Sequence, residues 1–244
     1  MNIRLNCDMG ESFGIWKMGN DEEIMPYISM ANLACGFHAS DPITMNRSVE
    51  LAKKYNVTIG AHPGYQDLIG FGRRSVVCSL KEIKSIILYQ VGALSAFCKS
   101  NNCSISYVKP HGALYNDMMR DENIFKAVLS AISSFDKNIK LMVLSSSNNE
   151  ALKYTAMIYG IDLIYEVFAD RNYNDNGTLV SRIQPNAIIS DELEVMERVR
   201  ILSSNGYINS INGKKLFLNA DTICVHGDND KALEFIKALN KVLM

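Results

Sequence analysis

The feature that most constrains this chain is a regular alternation of short apolar runs with longer stretches of helical periodicity. The short runs predict strands at residues 3–6, 30–35, 57–61, 105–109, 141–145, 162–166 and 222–225. The longer stretches predict helices at residues 42–55, 80–99, 121–133, 149–159, 191–203 and 230–242. A strand, a crossover helix and a further strand, repeated along a chain, produce a mainly parallel sheet covered by helices. The sequence therefore predicts an α/β fold.

The number of strands and the chain length favour a closed sheet over an open one. The chain has 244 residues, and one α/β barrel typically needs about 250. We predict a distorted seven-stranded (β/α) barrel of the TIM-like type. No linker or repeat divides the sequence, so residues 1–244 are expected to form a single domain. A small hairpin is expected near residues 207–218, because Asn212-Gly213 between two apolar runs favours a type I′ turn.

Several predicted helices carry signals for their first residue. Ser79 and Glu82 have the spacing of a capping box. Asp41 precedes Pro42, and Ser190 precedes the helix expected from residue 191, so both are candidate N-caps.

Charge and cysteine content exclude several classes of function. The formal net charge is −1 without long runs of either sign, which argues against a nucleic-acid surface or a polybasic membrane patch. No apolar stretch reaches the roughly 20 residues of a membrane span, and the first residues lack the apolar core of a signal peptide. The six cysteines form no Cys-x-x-Cys pair, which predicts reduced thiols and a cytoplasmic location.

Every histidine of the chain follows the end of a predicted strand. His38 follows the second strand, His62 the third, His111 the fourth and His226 the last. Other polar residues at strand exits are Asn6, Asp8, Glu11, Lys109, Glu166, Asp170 and Arg171. In a parallel barrel these exits converge on the face that carries the active site. We therefore predict one site that gathers these side chains.

The residue types at this face allow more than one chemistry. Asp8, His38 and His62 offer the carboxylate and imidazole groups that bind divalent metals. The same groups could instead serve as a general base with its orienting carboxylate. Lys109 could neutralise a substrate carboxylate or an anionic intermediate. Cys35 lies close to His38 but is interpreted as a small buried side chain rather than a nucleophile.

Two arginine-containing segments suggest anion binding. Arg73 and Arg74 follow the glycine-rich run 70–72 after the third strand, where they could bind a carboxylate or phosphate. A surface basic pair is the alternative. Asp170-Arg171 after the sixth strand allows a similar role or a salt bridge that holds the loop. The sequence contains no phosphate-binding loop, dinucleotide fingerprint or nucleophile elbow.

The strand-exit motifs resemble those of the LamB/YcsF family. They span residues 5–14, 32–39, 60–65, 70–74, 108–116, 166–171 and 223–228. The resemblance runs from the first strand to the last helix, with the motifs in the family's order. Departures are Ser40, where the family usually has glycine, and Gln66, where it usually has proline. Both lie in loops and therefore put loop shape in doubt more than chemistry.

This resemblance implies a barrel related to that of the polysaccharide deacetylases. It implies hydrolysis of 5-oxoproline (pyroglutamate) to L-glutamate, with ATP as co-substrate, in a complex with two further subunits, B and C. A five-membered lactam is an unstrained amide, so its uncoupled hydrolysis is slow and thermodynamically unfavourable. Coupling to ATP suggests that the amide oxygen is phosphorylated, which makes the carbon electrophilic to water. The expected catalytic residues are Asp8, His38, His62, Lys109 and His111. The expected substrate-binding residues are Asn6, Glu11, Arg73, Arg74, Glu166, Asp170, Arg171 and His226.

Two other functions stay open from sequence. One is a metal-dependent amide hydrolase or deacetylase that acts without ATP, with Asp8, His38 and His62 as metal ligands. The other is a non-catalytic subunit that binds the lactam for its partners. The many titratable groups at one face disfavour the second alternative, because a lactam binder does not need them.

Overall fold

The strands predicted from sequence form a closed parallel barrel in a computed structural model, which describes residues 3–181, 184–225 and 232–243. The strands in this part of the chain are β1 (Arg4–Met9), β2 (Met30–Ala34), β3 (Thr58–His62), β4 (Tyr107–Val108), β5 (Lys140–Leu144), β6 (Leu163–Phe168), β7 (Tyr207–Asn209), β8 (Lys215–Phe217) and β9 (Thr222–Val225). The barrel order is β1-β2-β3-β4-β5-β6-β9, and β9 closes the barrel by pairing with both β6 and β1. The TIM-like α/β barrel is confirmed; its relation to polysaccharide deacetylases and the single-domain organisation stay predictions.

Helices surround the barrel. They are α1 (Asp21–Ile24), a 3₁₀ turn (Met25–Tyr27), α2 (Pro42–Lys54), α3 (Leu80–Ser100), α4 (Gly112–Arg120), α5 (Glu122–Phe135), α6 (Asn149–Ile158), α7 (Glu192–Asn205) and α8 (Ala232–Leu243). α1, the 3₁₀ turn and α4 were not predicted. No helix within the described ranges is both long enough and apolar enough to cross a membrane.

Side-chain caps fix where the helices begin. The Ser79 hydroxyl accepts from the Glu82 backbone N–H, and the Glu82 carboxylate accepts from the Ser79 N–H, as the capping box predicts. Asp41 caps α2 through its carboxylate. The prediction of Ser190 as a cap was wrong, because Asp191 accepts from the N–H groups of the first turn of α7.

A polar layer lies inside the barrel beneath the strand exits. The Tyr107 hydroxyl donates to Asn32 Oδ1 at 2.6 Å, and Asn32 Nδ2 donates to Asn6 Oδ1 at 2.8 Å. Asn6 Nδ2 in turn donates to Thr222 Oγ1 at 2.9 Å, which links the first and last barrel strands. Gly60 leaves the space that the Tyr107 ring fills, since a Cβ there would lie 2.1 Å from the ring. This buried layer is the floor on which the site is built.

The hairpin near residues 207–218 is present, but the predicted turn type was wrong. A type I′ turn needs positive φ at both central residues, and only Gly213, with φ +81°, has it, while Asn212 does not. The Ser210 N–H donates to the Lys214 carbonyl, and the Gly213 N–H donates to the Ser210 carbonyl. The connection is therefore a three-residue loop in which Gly213 takes the left-handed position that such loops require.

Candidate active site

A cavity opens at the carboxyl ends of the barrel strands, where the sequence placed the site. It has a volume of about 860 Å³, including its open mouth. Residues that line it include Asp8, Glu11, His62, Arg73, Lys109 and His111.

Lys109 lies at the centre of the cavity floor. Its Nζ lies 2.7 Å from Glu166 Oε1 and 3.0 Å from Asp8 Oδ1. It also lies 3.2 Å from Cys224 Sγ and 3.4 Å from Asn6 Oδ1. Burial lowers the pKa of Lys109, but the carboxylates of Asp8 and Glu166 outweigh burial and raise it well above its ordinary value. Lys109 is therefore a fixed positive charge that already has protein partners.

The carboxylate of Glu166 is held from two sides. Its Oε1 faces Lys109, and its Oε2 accepts a hydrogen bond of 3.0 Å from the Tyr115 hydroxyl. Burial, reinforced by the negative Glu166, raises the pKa of Tyr115 well above its ordinary value, so the hydroxyl stays a donor. Sequence reasoning did not assign Tyr115 a role. Its position one turn after His111 on α4 was the available signal.

Asp8 is oriented by two donors, one on the neighbouring strand β2 and one at the exit of β4. Its Oδ1 accepts from Lys109 Nζ and, at 2.8 Å, from Asn32 Nδ2, and its Oδ2 lies 3.4 Å from His62 Nε2. Asn32 was also missed, although a fully buried asparagine in an otherwise apolar strand is a signal in itself. Asp8 thus connects the lysine network with the histidines.

Three of the predicted histidines form a compact buried cluster. The rings of His38 and His111 stack in parallel with centroids 3.7 Å apart, and His62 approaches His111 edge-on at 4.9 Å. His62 Nε2 lies 3.0 Å from His111 Nδ1. The other nitrogen of each ring faces a backbone carbonyl: His62 Nδ1 lies 2.6 Å from the Lys109 oxygen, and His111 Nε2 lies 2.9 Å from the Phe71 oxygen.

Burial sets the charge of two of these rings. It lowers the pKa of His38 well below its ordinary value, and the neighbouring His62 adds to this effect. Burial and the two neighbouring histidines do the same for His111. Both imidazoles are therefore neutral near pH 7 and can bind a proton or a metal ion.

Glu11 brings a carboxylate to the same cluster. Its Oε1 lies 3.7 Å from His38 Nε2 and 3.7 Å from His111 Nδ1. Glu11, His38, His62 and His111 each offer one ligand atom within 4.8 Å of the others, so this set could hold a metal ion. The set differs from the ligands expected from sequence, because Glu11 and His111 belong to it and Asp8 lies beside it.

The glycine-rich loop after β3 uses its two arginines differently. Arg73 lines the cavity, and its guanidinium lies 5.1 Å from the centroid of the Phe71 ring. Arg74 Nε donates to Asp67 Oδ2 at 3.0 Å, and its Nη2 pairs with Asp67 Oδ1. Hydrogen bonds from Arg74 lower the pKa of Asp67 to about 2. Arg74 thus fastens the loop while Arg73 lines the cavity, and a role in substrate binding stays a prediction for both.

Arg171 lines the cavity but is engaged with backbone carbonyls. Its Nε donates to the Ala187 oxygen at 3.2 Å and its Nη2 donates to the Val180 oxygen at 2.7 Å. These bonds join the beginning of the long segment between β6 and α7 to its later part. The adjacent Asp170 is half-buried. The predicted site residue His226 lies outside the described residues.

Two further side chains near the site have shifted pKa values, the buried Cys35 and the half-buried Asp21. Burial raises the pKa of the Cys35 thiol to about 12, which supports its interpretation as a buried small side chain. Asp21 lines the cavity and accepts from the Gly10 N–H at 2.8 Å, and burial raises its pKa to about 6.

The chain is similar to known proteins over nearly its whole length. The LamB/YcsF family matches residues 3–244. The chain is 54% identical to the 5-oxoprolinase A subunit of Vibrio cholerae over 241 residues, which cover 99% of this chain and 97% of that protein. It is 51% identical to the 5-oxoprolinase A subunit of Pyrococcus abyssi over 243 residues, which cover 100% of this chain and 94% of that protein.

The structure of this chain is also similar to solved structures. The lactam utilization protein from Thermus thermophilus matches with a TM-score of 0.92 and 39% identity, over 100% of this chain and 96% of that one. A putative cellobiose-phosphate cleavage protein from Enterococcus faecalis shares only the fold, with a TM-score of 0.54 and 9% identity over 99% of this chain and 90% of that one.

Proposed function

The chain belongs to the LamB/YcsF family, and from this membership we infer that it is the A subunit of a 5-oxoprolinase, a hydrolase that converts 5-oxoproline to L-glutamate. The observation that carries the inference is the full-length similarity to two 5-oxoprolinase A subunits, one bacterial and one archaeal. The cavity at the strand exits supports it, because it gathers acid, base and cationic groups around a space for a small molecule.

We propose that ATP is the co-substrate and that the amide oxygen of the lactam is phosphorylated. The oxygen would attack the γ-phosphorus, releasing ADP and making the ring carbon electrophilic. Water would add to that carbon, and the C–N bond would break as the nitrogen takes up a proton. A second water would then release phosphate from the resulting acyl phosphate and leave glutamate.

We propose that Asp8, His62 and His111 move the protons of this reaction. Asp8 is oriented by Lys109 and Asn32 and lies 3.4 Å from His62, so a proton accepted from water can pass between them. His38 and Glu11 complete the cluster around His111. Such positioned acid and base groups typically contribute about 10²–10⁴-fold to the rate.

The polar contacts divide the expected substrate-binding residues into two groups. Arg73 faces the cavity and is the proposed partner of the substrate carboxylate. Lys109 is already bonded to Asn6 and Glu166. We therefore propose that these three residues position Asp8 and that Lys109 supplies positive charge near the reacting carbonyl. The roles of Asp170, Arg171 and His226 in substrate binding stay predictions.

We propose that activity requires the B and C subunits. The sequence has no phosphate-binding loop, so nucleotide binding is expected to depend on these partners.

We propose a cytoplasmic location. The cysteines at positions 7, 35, 78, 98, 103 and 224 are free thiols, which supports it.

The test measures glutamate released from 5-oxoproline by the chain alone and with B and C, with and without ATP. We expect release only from the complete complex with ATP. We expect Asp8→Asn in that complex to lower turnover at least about a hundredfold, whereas Lys126→Met, in an exposed pair with Glu122, should leave it unchanged. Full turnover by Asp8→Asn, or no ATP requirement, would overturn the proposal.

A second candidate is a metal-dependent amide hydrolase that acts without ATP, which the cluster of three histidines and Glu11 favours. It predicts amide hydrolysis by the chain alone in the absence of nucleotide.

The third possibility, a non-catalytic lactam-binding subunit, predicts that a His62→Ala, His111→Ala double variant keeps full turnover in the complex. The same assay therefore separates all three functions.

A further inference from the structure

The four side chains that meet at the cavity floor come from the exits of four consecutive strands. Glu11 follows β1, His38 follows β2, His62 ends β3 and His111 follows β4. Their nearest ligand atoms lie within 4.8 Å of one another, and the three histidines are buried. Burial of ionisable side chains costs free energy unless they are paired or bind a metal ion.

The hydrogen bonds of His62 and His111 leave two lone pairs facing each other. A backbone carbonyl only accepts, so His62 Nδ1, 2.6 Å from the Lys109 oxygen, and His111 Nε2, 2.9 Å from the Phe71 oxygen, must both carry hydrogen. In a neutral imidazole the second nitrogen then has no hydrogen. These second nitrogens, His62 Nε2 and His111 Nδ1, lie 3.0 Å apart. A positive species, either a proton or a metal cation, must therefore lie between them.

His38 distinguishes a cation from a proton. It is 1% exposed, and neither ring nitrogen has a hydrogen-bond partner among the residues that the structure describes. Most buried polar groups in proteins have a partner. One proton shared by His62 and His111 would leave His38 in this state. A cation would accept electron pairs from His38 Nε2 and from Glu11 Oε1, which lies 3.7 Å from both His38 and His111.

From this geometry we propose that Glu11, His38, His62 and His111 bind one divalent transition-metal ion of the zinc class. Three imidazoles and a carboxylate are ligands that zinc prefers. Tetrahedral bonds of about 2.0–2.1 Å place ligand atoms roughly 3.3 Å apart. Three of the pairs lie near that value, at 3.0, 3.7 and 3.7 Å, and all the ligand atoms lie within 4.8 Å of one another. The stacked rings of His38 and His111 must tilt apart when both bind the ion.

The surroundings of the cluster fit a metal site. Metal-binding histidines usually donate their other ring N–H to a carbonyl or carboxylate, which fixes the tautomer. His62 and His111 both do so through the carbonyls of Lys109 and Phe71. Asp8 lies beside the proposed ligands, with its Oδ1 bonded to Lys109 and Asn32 and its Oδ2 3.4 Å from His62 Nε2. It is outside the set of groups whose ligand atoms all lie within 4.8 Å of one another. With the ion bound, His62 and His111 would serve as its ligands, and Asp8 would remain to accept a proton in the proposed reaction. Zinc binding itself can be tested whichever reaction the chain catalyses.

Metal binding can be measured on the isolated chain, without partners, substrate or ATP. The chain is stripped with a chelator and titrated with Zn²⁺ against a chromophoric competitor, and a second sample is loaded with Co²⁺. We expect one Zn²⁺ per chain and the visible absorption of four-coordinate Co²⁺. A wild-type chain that binds no Zn²⁺, or a Co²⁺ spectrum like that of the hydrated ion, would overturn the proposal and leave the shared proton.

Variants test the ligand set. Because even an outer-shell change weakens metal binding by about 10–100-fold, Glu11→Gln and His111→Ala should each weaken Zn²⁺ binding at least about a hundredfold. Asp21→Asn removes a cavity carboxylate outside the cluster and should keep one ion per chain. Circular dichroism confirms folding of each variant. Loss of zinc in Asp8→Asn with retention in Glu11→Gln would overturn the ligand set. Failure of zinc binding leaves the oxoprolinase proposal intact, because that assay measures glutamate.

Discussion

Replacing Lys109 with methionine isolates the energy of the ion-pair network under the site. Its Nζ lies within 3.0 Å of carboxylate oxygens of both Asp8 and Glu166, and the side chains of Lys109 and Glu166 are 3% and 0% exposed. Removal of one partner from a buried ion pair leaves an unpaired charge and costs about 3–5 kcal/mol. Lys109→Met leaves two carboxylates without their cation, so we expect the free energy of unfolding to fall by at least about 3 kcal/mol.

The measurement is urea unfolding of the isolated chain at pH 7, followed by circular dichroism. A loss of about 3 kcal/mol corresponds to a fall of roughly 6–12 °C in Tm for a chain of this size. Adding Glu166→Gln to Lys109→Met removes one unpaired charge but keeps an oxygen that accepts from Tyr115. The double variant should therefore be more stable than Lys109→Met, with a coupling energy of at least about 1 kcal/mol.

Lys126→Met is the matched control, since Lys126 pairs with Glu122 on the surface of α5. Exposed pairs contribute little, so its unfolding midpoint should not change. A loss below about 1 kcal/mol for Lys109→Met, or additivity of the two substitutions within about 0.5 kcal/mol, would refute a stabilising ion-pair network. In the assembled enzyme, loss of this charge should also cut turnover roughly a hundredfold or more.

Three further predictions concern packing, pH and the loop at the site. Gly60→Ala should lower Tm because its Cβ would lie 2.1 Å from the Tyr107 ring, whereas Gly92→Ala, with open space in α3, should raise it. The Asp21 carboxyl titrates near 3.8 when unfolded and near 6 when folded. Between these values the folded state holds more protons, so stability falls as pH rises. His38 and His111, whose pKa values burial lowers, make stability rise with pH in both proteins alike. The stability of wild type relative to Asp21→Asn should therefore fall between pH 4 and pH 7, by up to about 3 kcal/mol. Gly112→Ala should abolish glutamate release by the complex, because φ is +53° there and a Cβ would meet a backbone oxygen at 2.6 Å. Normal release would show that the loop tolerates the change.

The barrel strands could be predicted because buried parallel strands are continuous apolar runs bounded by polar exits. α4 could not, since it begins directly after His111 with Gly112, a residue that usually indicates a turn. The type of the hairpin turn was also predicted wrongly, because the local sequence allows more than one conformation. The Asn-Gly pair fits two loop lengths, and the hydrogen bonds of Ser210 decide between them.

The position of the site could be predicted from the sequence, but the contacts between its side chains could be predicted only in part. A parallel barrel brings all strand exits to one face, which is why His38, His62 and His111 meet. Which carboxylate joins them depends on the path of the loop after β1, and sequence alone favoured Asp8 over Glu11. The turn of Arg74 away from the cavity likewise depends on its contact with Asp67, which no local pattern indicates.

The closure of the barrel by β9 has a consequence for synthesis of the chain. The hydrogen bond between Asn6 and Thr222 spans 216 residues, and β9 is the strand that pairs with both β1 and β6. A nascent chain therefore carries two unpaired parallel edges until nearly all of it has left the ribosome. Contacts this distant in sequence form slowly, and open edges promote aggregation. During translation, molecular chaperones that shield exposed strands are expected to determine the yield of this protein.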